Sequence, residues 1–434
     1  MTEIHCFIAE RAARSPHQPI IIVEKITWTA QQLDNEIART CASLHELGIQ
    51  AGDRVAFIAK QEIATILVIF ALLRLRATSC LLSSREPEKR WKELAKRCSA
   101  THWIDPTLLP TTTKRFLDRS IEEDTIATML YTSGSTGMPK IACHTFRNHR
   151  ESAEGIIPAL HYTQDSLVLL SLPLFHAGGL ALLFRTILSG ATLLLSSAPL
   201  HEVLHMHKVT HASIVPTQLH RILEKSSFPI HTSFLLGGAY TSKPLLQRAK
   251  KADLLVFNSY GCTEMSSTIT LSHEPCTEEA GAILPHRILE IRSSGAVFAK
   301  GSTLFQGYWD PQTCTPLLPT HNGWFATNDL AEWTPRGFLY IGRADRQFIS
   351  GGENIQPEEI EAALLSIDGI SHATVVPVHD VEFGQRPIAY VQDMIAERNP
   401  KVLQEILQTL LPKFKIPIRI FPFQGTTALS KKDF

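Results

Sequence analysis

Two glycines, four serine or threonine hydroxyls and one lysine stand within ten positions in Tyr131-Thr-Ser-Gly-Ser-Thr-Gly-Met-Pro-Lys140, directly after the apolar run Ile126–Leu130. That composition suits a polyphosphate. Gly134 and Gly137 let backbone N–H groups converge on anionic oxygens, Thr132, Ser133, Ser135 and Thr136 add neutral donors, and Lys140 brings a mobile positive charge. ATP is the expected ligand. A Walker loop needs a Gly-Lys-Ser/Thr ending from which a helix starts under the phosphates. Here Met138-Pro139 precede the lysine and Ile141 follows it, so that helix start is excluded.

These residues must be carried by a larger scaffold. A chain of 434 residues exceeds one core, and two or three domains are expected. Lysine plus arginine equals aspartate plus glutamate at 42 each, and charged residues make up only 19%. Neither a nucleic-acid nor an anionic-membrane surface is indicated, which leaves small molecules as partners. The eight cysteines are scattered with no C-x-x-C pair, as in a reduced, cytosolic protein without a thiolate zinc site. The most apolar stretch, Ile63–Leu73, is shorter than the roughly 20 residues of a membrane helix and reads as a core helix.

Short apolar runs alternate with longer amphipathic ones, which predicts parallel sheets covered by helices. Arg54–Ile58, Leu167–Leu170, Ala212–Val215, Phe234–Leu236 and Leu254–Phe257 are the expected strands; Ala30–Leu47 and Lys243–Lys251 are helices, the latter with Thr241 and Ser242 as caps. Polar signatures follow these strands at Tyr131, His176, Gly237 and Tyr260. In open parallel sheets ligands bind beyond the carboxyl ends of strands, so the four loops are expected on one rim. After Arg343 the pattern becomes a short α+β unit: helices at Glu358–Leu365 and Val402–Leu411, strands at Thr374–Pro377 and Ile388–Gln392.

Further blocks occur in order: Leu172-Pro-Leu-Phe-His176, Gly237-Gly-Ala239, Asn258-Ser-Tyr-Gly-Cys-Thr-Glu264, Gly323-Trp-Phe-Ala-Thr-Asn-Asp329, Gly342-Arg-Ala-Asp345 running to Ile355, and Pro357-Glu-Glu-Ile-Glu361. With the Tyr131 loop they make the chain resemble the adenylate-forming acyl-CoA ligases. The resemblance implies an α/β fold: a large N-terminal domain of parallel sheets covered by helices, residues 1–344, and a small mobile α+β C-terminal domain, residues 345–434, turning on Asp345. It also implies a cytoplasmic enzyme that joins a carboxylic acid to AMP and then to the thiol of coenzyme A, using ATP and Mg2+. A carrier protein is the alternative thiol partner.

By the same resemblance the Thr132–Lys140 loop holds the β and γ phosphates, Thr263 the α-phosphate, and Glu264 the magnesium ion. Gly237, Gly238 and Ala239 form the adenine wall, Tyr260 with Gly261 lies on the purine, and Asp329 with Arg343 receives the ribose. Asn328 stands where the family usually has glycine before that aspartate. His176 corresponds to the histidine at the mouth of the acyl pocket. The catalytic lysine of the C-terminal tail carries over to Lys431, with Lys432 the alternative, since Ser430 replaces the usual glycine and the chain ends at Phe434 where an arginine is expected.

The compact length and the segments Phe175–Leu180 and Tyr260–Thr268 most resemble the o-succinylbenzoate branch of that family. Its substrate has a second carboxylate, for which Arg185 is the candidate cation, with Ser266, Ser267 and Thr268 lining the pocket; the alternative for Arg185 is an ordinary surface-helix arginine. Other aryl or medium-chain acids are the alternative substrates. One competing motif, His201-Glu-Val-Leu-His205 with His207 and His211 nearby, matches the zinc-hydrolase pattern. In the family this position is a helix feeding a strand, and an ordinary helix is expected.

Overall fold

The computed structural model describes residues 3–132, 139–225, 231–393 and 399–423. Its large domain rests on two mixed sheets. The nine-stranded sheet has a parallel centre, in the order Leu255–Cys262, Ser233–Leu236, His211–Ile214, Leu167–Leu169, Thr192–Leu195, Pro19–Val23. Antiparallel strands close both of its ends: Ile26–Thr29 at one, Ser267–Leu271 and Ala282–Ile283 at the other. In the seven-stranded sheet Arg54–Ile58, Thr78–Leu82 and Ile126–Thr132 run parallel, and Lys140–Thr145 returns antiparallel. Thr132 and Lys140, on either side of the glycine-rich segment, are paired in register across these antiparallel strands.

One core draws on both sheets at once. Val55, Phe57 and Leu81 from the smaller sheet and Val168 and Leu193 from the larger are buried with Leu33, Ile66, Phe70, Phe146, Leu180 and Phe184 from helices. Helix Ile63–Arg74 is buried around almost its whole circumference, as its unbroken apolar run requires. Thr29 opens helix Ala30–Glu46 with a capping box through Gln32, and Ser242 opens Lys243–Lys251. Among the described residues no helix is long and apolar enough to cross a membrane. None of the eight cysteines is paired.

A third sheet was not expected from the sequence. It is antiparallel and joins Ile288–Ile291, Ala296–Lys300, Trp324–Thr334, Thr320–His321 and Gly337–Arg343. The alternation in Trp324–Thr334 is real, but the buried positions are Phe325, Thr327, Asp329 and Ala331. Half of its inner face is polar, which hides the period of two on which strand recognition depends.

From Phe348 onward the chain has its own core of Ile355, Ile360, Leu364, Val375, Val391, Leu403 and Ile420. The hairpin Ile370–Asp380 with Gly384–Asp393 carries Ile420–Pro422 in parallel, packed with helices Pro357–Leu365 and Pro400–Leu410. The smaller unit is α+β, as its pattern implied.

At the end of helix Ile63–Arg74 the guanidinium of Arg74, only 1% exposed, meets Asp34, whose other oxygen receives Arg119 at 2.8 Å. Removing one partner of a buried pair leaves the other charge desolvated. Arg74→Ala is expected to lower unfolding free energy by about 3–5 kcal/mol, measured by urea denaturation; a loss below about 1 kcal/mol would show the pair to be dispensable.

Candidate active site

A cavity of about 220 Å³ opens among Gly238, Ala239, Asn258, Tyr260, Asp329 and Arg343, joined by Tyr240 and Tyr340. These residues come from two sheets. Gly238 and Ala239 follow the parallel strand Ser233–Leu236, and Tyr260 lies on its neighbour Leu255–Cys262. Asp329 and Arg343 face each other in register on the antiparallel hairpin. Gly238 has φ of +81°, a conformation that favours glycine. A Cβ on Gly261 would lie 2.0 Å from the carbonyl oxygen of Ser267, so only glycine lets those backbones meet.

Asp329 is buried, and both carboxylate oxygens are engaged. The Tyr260 hydroxyl donates to Oδ2 at 2.7 Å, and Arg343 Nη1 donates to Oδ1 at 3.2 Å. Burial raises the carboxyl's pKa above its ordinary value, while the Tyr260 hydrogen bond and the Arg343 charge oppose that rise. A carboxylate accepts about four hydrogen bonds, which leaves room for ribose hydroxyls. Arg343 also binds Asp345 through Nε at 3.0 Å and Nη2 at 3.1 Å. One guanidinium thus ties the pocket carboxylate to the expected hinge residue. Tyr260 stacks on Phe338 at 4.5 Å and more distantly on Tyr340.

Asn328 takes a left-handed φ of +61°. This accounts for the departure before the aspartate, because asparagine is among the few residues besides glycine that enter this region readily. Sequence reasoning missed Asn258, Tyr240 and Tyr340. The Asn258 amide donates to the Glu278 carbonyl at 2.6 Å, which leaves its Oδ1 as an acceptor on the cavity wall. Its position inside the Asn258–Glu264 block was the available signal.

At the other end, Thr263 and Glu264 form a short 3-10 turn closed by Ser266 at φ +56°. His144, fully buried, bonds through Nε2 to the Thr263 carbonyl at 2.7 Å. Burial lowers its pKa to about 4, so the ring is neutral and Nε2 is the donor. Lys140 and Glu264 both contact Tyr308, the first over its ring and the second at its hydroxyl. A half-buried carboxylate such as Glu264 fits magnesium, which takes one or two carboxylates and otherwise phosphate oxygens. Thr132 ends its strand at this rim; Ser133, Gly134, Ser135, Thr136 and Gly137, like Lys431 and Lys432, lie outside the described residues.

His176 stands exposed at the N-terminus of helix Ala177–Leu188, its ring 4.6 Å from Phe175. Partial enclosure and the nearby Arg85 cation lower its pKa. Arg185 on the same helix is no surface residue: it is 1% exposed, and it donates to Tyr162 at 3.1 Å and to Ser213. No carboxylate among the described residues lies within ion-pair distance of it. Ser266 is buried and donates its hydroxyl to the Thr303 carbonyl at 2.9 Å, so it fastens the turn instead of offering a donor. Ser267 and Thr268 begin the next strand.

The zinc-like motif forms a helix, Leu200–Met206. His211 is a core residue, stacked on Tyr162 at 4.3 Å and bonded to the Leu160 carbonyl at 2.8 Å. Among the described residues no three histidine, cysteine or acidic side chains are grouped to hold a metal.

Residues 8–309 match the model of the AMP-binding enzyme family, and the chain belongs to that family. Its relatives are more specific. The 2-succinylbenzoate–CoA ligase of Haemophilus influenzae is 32% identical over 410 residues, spanning 92% of this chain and 89% of that one. The o-succinylbenzoate CoA synthetase of Bacillus subtilis has the same fold in two solved complexes. That with the acyl-adenylate intermediate OSB-AMP is 28% identical with a TM-score of 0.88, covering 98% of this chain and 95% of that one. That with ATP and magnesium is 27% identical with a TM-score of 0.85, covering 97% and 96%. The fold is the one the motif blocks implied.

The conformation of Asn328 gives a direct test. Asn328→Gly should leave stability unchanged, whereas Asn328→Val, a β-branched residue at positive φ, should cost about 1–2 kcal/mol and weaken AMP binding. Denaturation and calorimetric titration with AMP would measure both; a harmless valine would overturn the assignment.

Proposed function

We propose that this chain activates o-succinylbenzoate with ATP and transfers the acyl group to coenzyme A, a step of menaquinone biosynthesis in the cytoplasm. The observation that carries the reading is the convergence on one cavity of Gly238, Ala239, Tyr260, Asp329 and Arg343, with Lys140 and Glu264 both in contact with Tyr308. The similarity to ligases named for that acid supports the substrate.

In the first half-reaction an oxygen of the succinyl carboxylate attacks the α-phosphorus, and the bond to the β-phosphate oxygen breaks to release pyrophosphate. Two anions must approach each other, so preorganised donors and cations account for most of the catalysis. Asp329 holds the ribose, and the Asn258 side-chain oxygen accepts a hydrogen bond from the exocyclic amine of adenine. Thr263 contacts the α-phosphate. Lys140 with Thr132 and the hydroxyls of Ser133, Ser135 and Thr136 retains the departing phosphates. Glu264 would hold magnesium, which when bound would supply positive charge against those oxygens. Lys431, or Lys432, is the tail lysine that would serve this half-reaction. In the second half-reaction the thiolate of coenzyme A adds to the acyl carbon and AMP leaves, with His176 at the entrance. Turning about Asp345 exchanges the two arrangements.

Arg185 is the residue for the aromatic carboxylate. A buried guanidinium with only neutral partners is costly, and an arriving anion offsets that cost. A site built around such a charge penalises substrates that leave it unpaired.

With purified enzyme, o-succinylbenzoate should give the CoA thioester and benzoate or a fatty acid should be much poorer. Arg185→Ala should raise KM for the dicarboxylate by about tenfold to a hundredfold, the scale of one lost charged contact, and narrow its advantage. Preference for a monocarboxylate would end the o-succinylbenzoate assignment while leaving the family intact. Lys431→Ala should abolish most acyl-AMP formation yet spare thioester formation from supplied acyl-AMP; equal losses in both assays would remove Lys431 from its role.

A further inference from the structure

Lys140 and Glu264 meet on a residue outside all the blocks above. Tyr308 lies on strand Gly307–Asp310, which pairs antiparallel with Lys140–Thr145 and sets Tyr308 opposite Ala142. Its hydroxyl donates to Glu264 Oε1 at 2.6 Å, and Lys140 Nζ stands 4.7 Å from the centroid of its ring. Phe305 packs edge-on against that ring at 4.9 Å and 77°. The Phe305 N–H also donates to the Glu264 carbonyl at 2.8 Å, so this segment is fastened to the Glu264 turn at two points. Of the two groups only the phenol carries a proton to give, so Tyr308 is the donor and Glu264 the acceptor.

Opposite charges held by one side chain could instead pair directly. A direct ion pair would cancel both, and it would have to break before the ammonium met phosphate and the carboxylate met metal. The structure has no such pair between Lys140 and Glu264. One tyrosine stands between them, with a hydrogen-bond donor for the anion and the negative face of its ring for the cation.

We propose that Tyr308 is a positioning residue for adenylation, holding the Glu264 carboxylate on its hydroxyl and the Lys140 ammonium on its ring so that both are in place when magnesium-ATP enters. The proposal rests on the roles given above to Glu264 and Lys140. It assigns separate parts of one side chain to separate tasks. The hydroxyl governs the metal, and the ring governs the phosphates.

Tyr308→Phe keeps the ring and loses the hydroxyl; Tyr308→Leu loses both. ATP binding without the acid would be followed by calorimetry across a magnesium titration, alongside pyrophosphate release with the acid present. In Tyr308→Phe the magnesium concentration at half-saturation should rise about tenfold, the scale on which outer-shell partners tune metal affinity. ATP affinity at saturating magnesium and KM for the acid should stay within about twofold. Tyr308→Leu should in addition weaken ATP binding at saturating magnesium by about fivefold, the scale of one cation–π contact. In a Glu264→Gln background the Phe substitution should no longer shift the magnesium dependence, and this holds even if Tyr308→Phe is somewhat less stable. If Glu264→Gln raises magnesium half-saturation while Tyr308→Phe leaves it unchanged, the positioning role is overturned. If Glu264→Gln itself leaves it unchanged, the magnesium reading of Glu264 fails and this proposal falls with it.

Discussion

The active site depends on keeping one buried carboxylate, Asp329, ready for a ligand. Desolvating a carboxylate costs several kcal/mol unless donors surround it. Two donors do so from different elements: Tyr260 from the last parallel strand of the large sheet, and Arg343 from the partner strand of the antiparallel hairpin. Arg343 comes with the hairpin itself, but Tyr260 can be supplied only by bringing the two sheets together at one edge. The register that pairs Asp329 with Arg343 follows from this constraint, as does the left-handed turn at Asn328 just before the carboxylate.

The rest of the cavity wall is built from aromatic rings, backbone and one amide. Beyond it, Tyr308 touches both the Lys140 ammonium and the Glu264 carboxylate. The neutral His144 beneath Thr263 belongs to the same design. Burial removes its charge, so it braces the turn as a plain hydrogen-bond donor. Arg343 also reaches Asp345, so one guanidinium binds both the pocket carboxylate and the residue proposed as the hinge.

Legibility in the sequence followed chemical type. Strands of the parallel centres, such as Arg54–Ile58, are continuous apolar runs because both faces are covered, and they were readable almost to the residue. Helix Lys243–Lys251 was marked by its serine cap and following proline. The antiparallel sheet was not readable, because Thr327 and Asp329 occupy inner positions where apolar residues would have announced a strand. Glycine-bearing blocks were legible for a different reason: where Gly261 passes the Ser267 carbonyl no side chain fits, so a backbone constraint is written directly into residue identity.

The sequence by itself determined the phosphate loop's composition, the parallel α/β organisation, the α+β character of the C-terminal unit, and through its ordered blocks the family. Those properties are local, set by spacing, propensity and the types of side chain in short windows. Only the tertiary structure decided which charges meet. It buried Arg185 with Tyr162 and Ser213, turned the Ser266 hydroxyl onto the Thr303 carbonyl, and set Tyr308 between Lys140 and Glu264. Each of these contacts joins residues at least 23 positions apart, and their partners are chosen by sheet pairing and burial, which no single window of sequence contains.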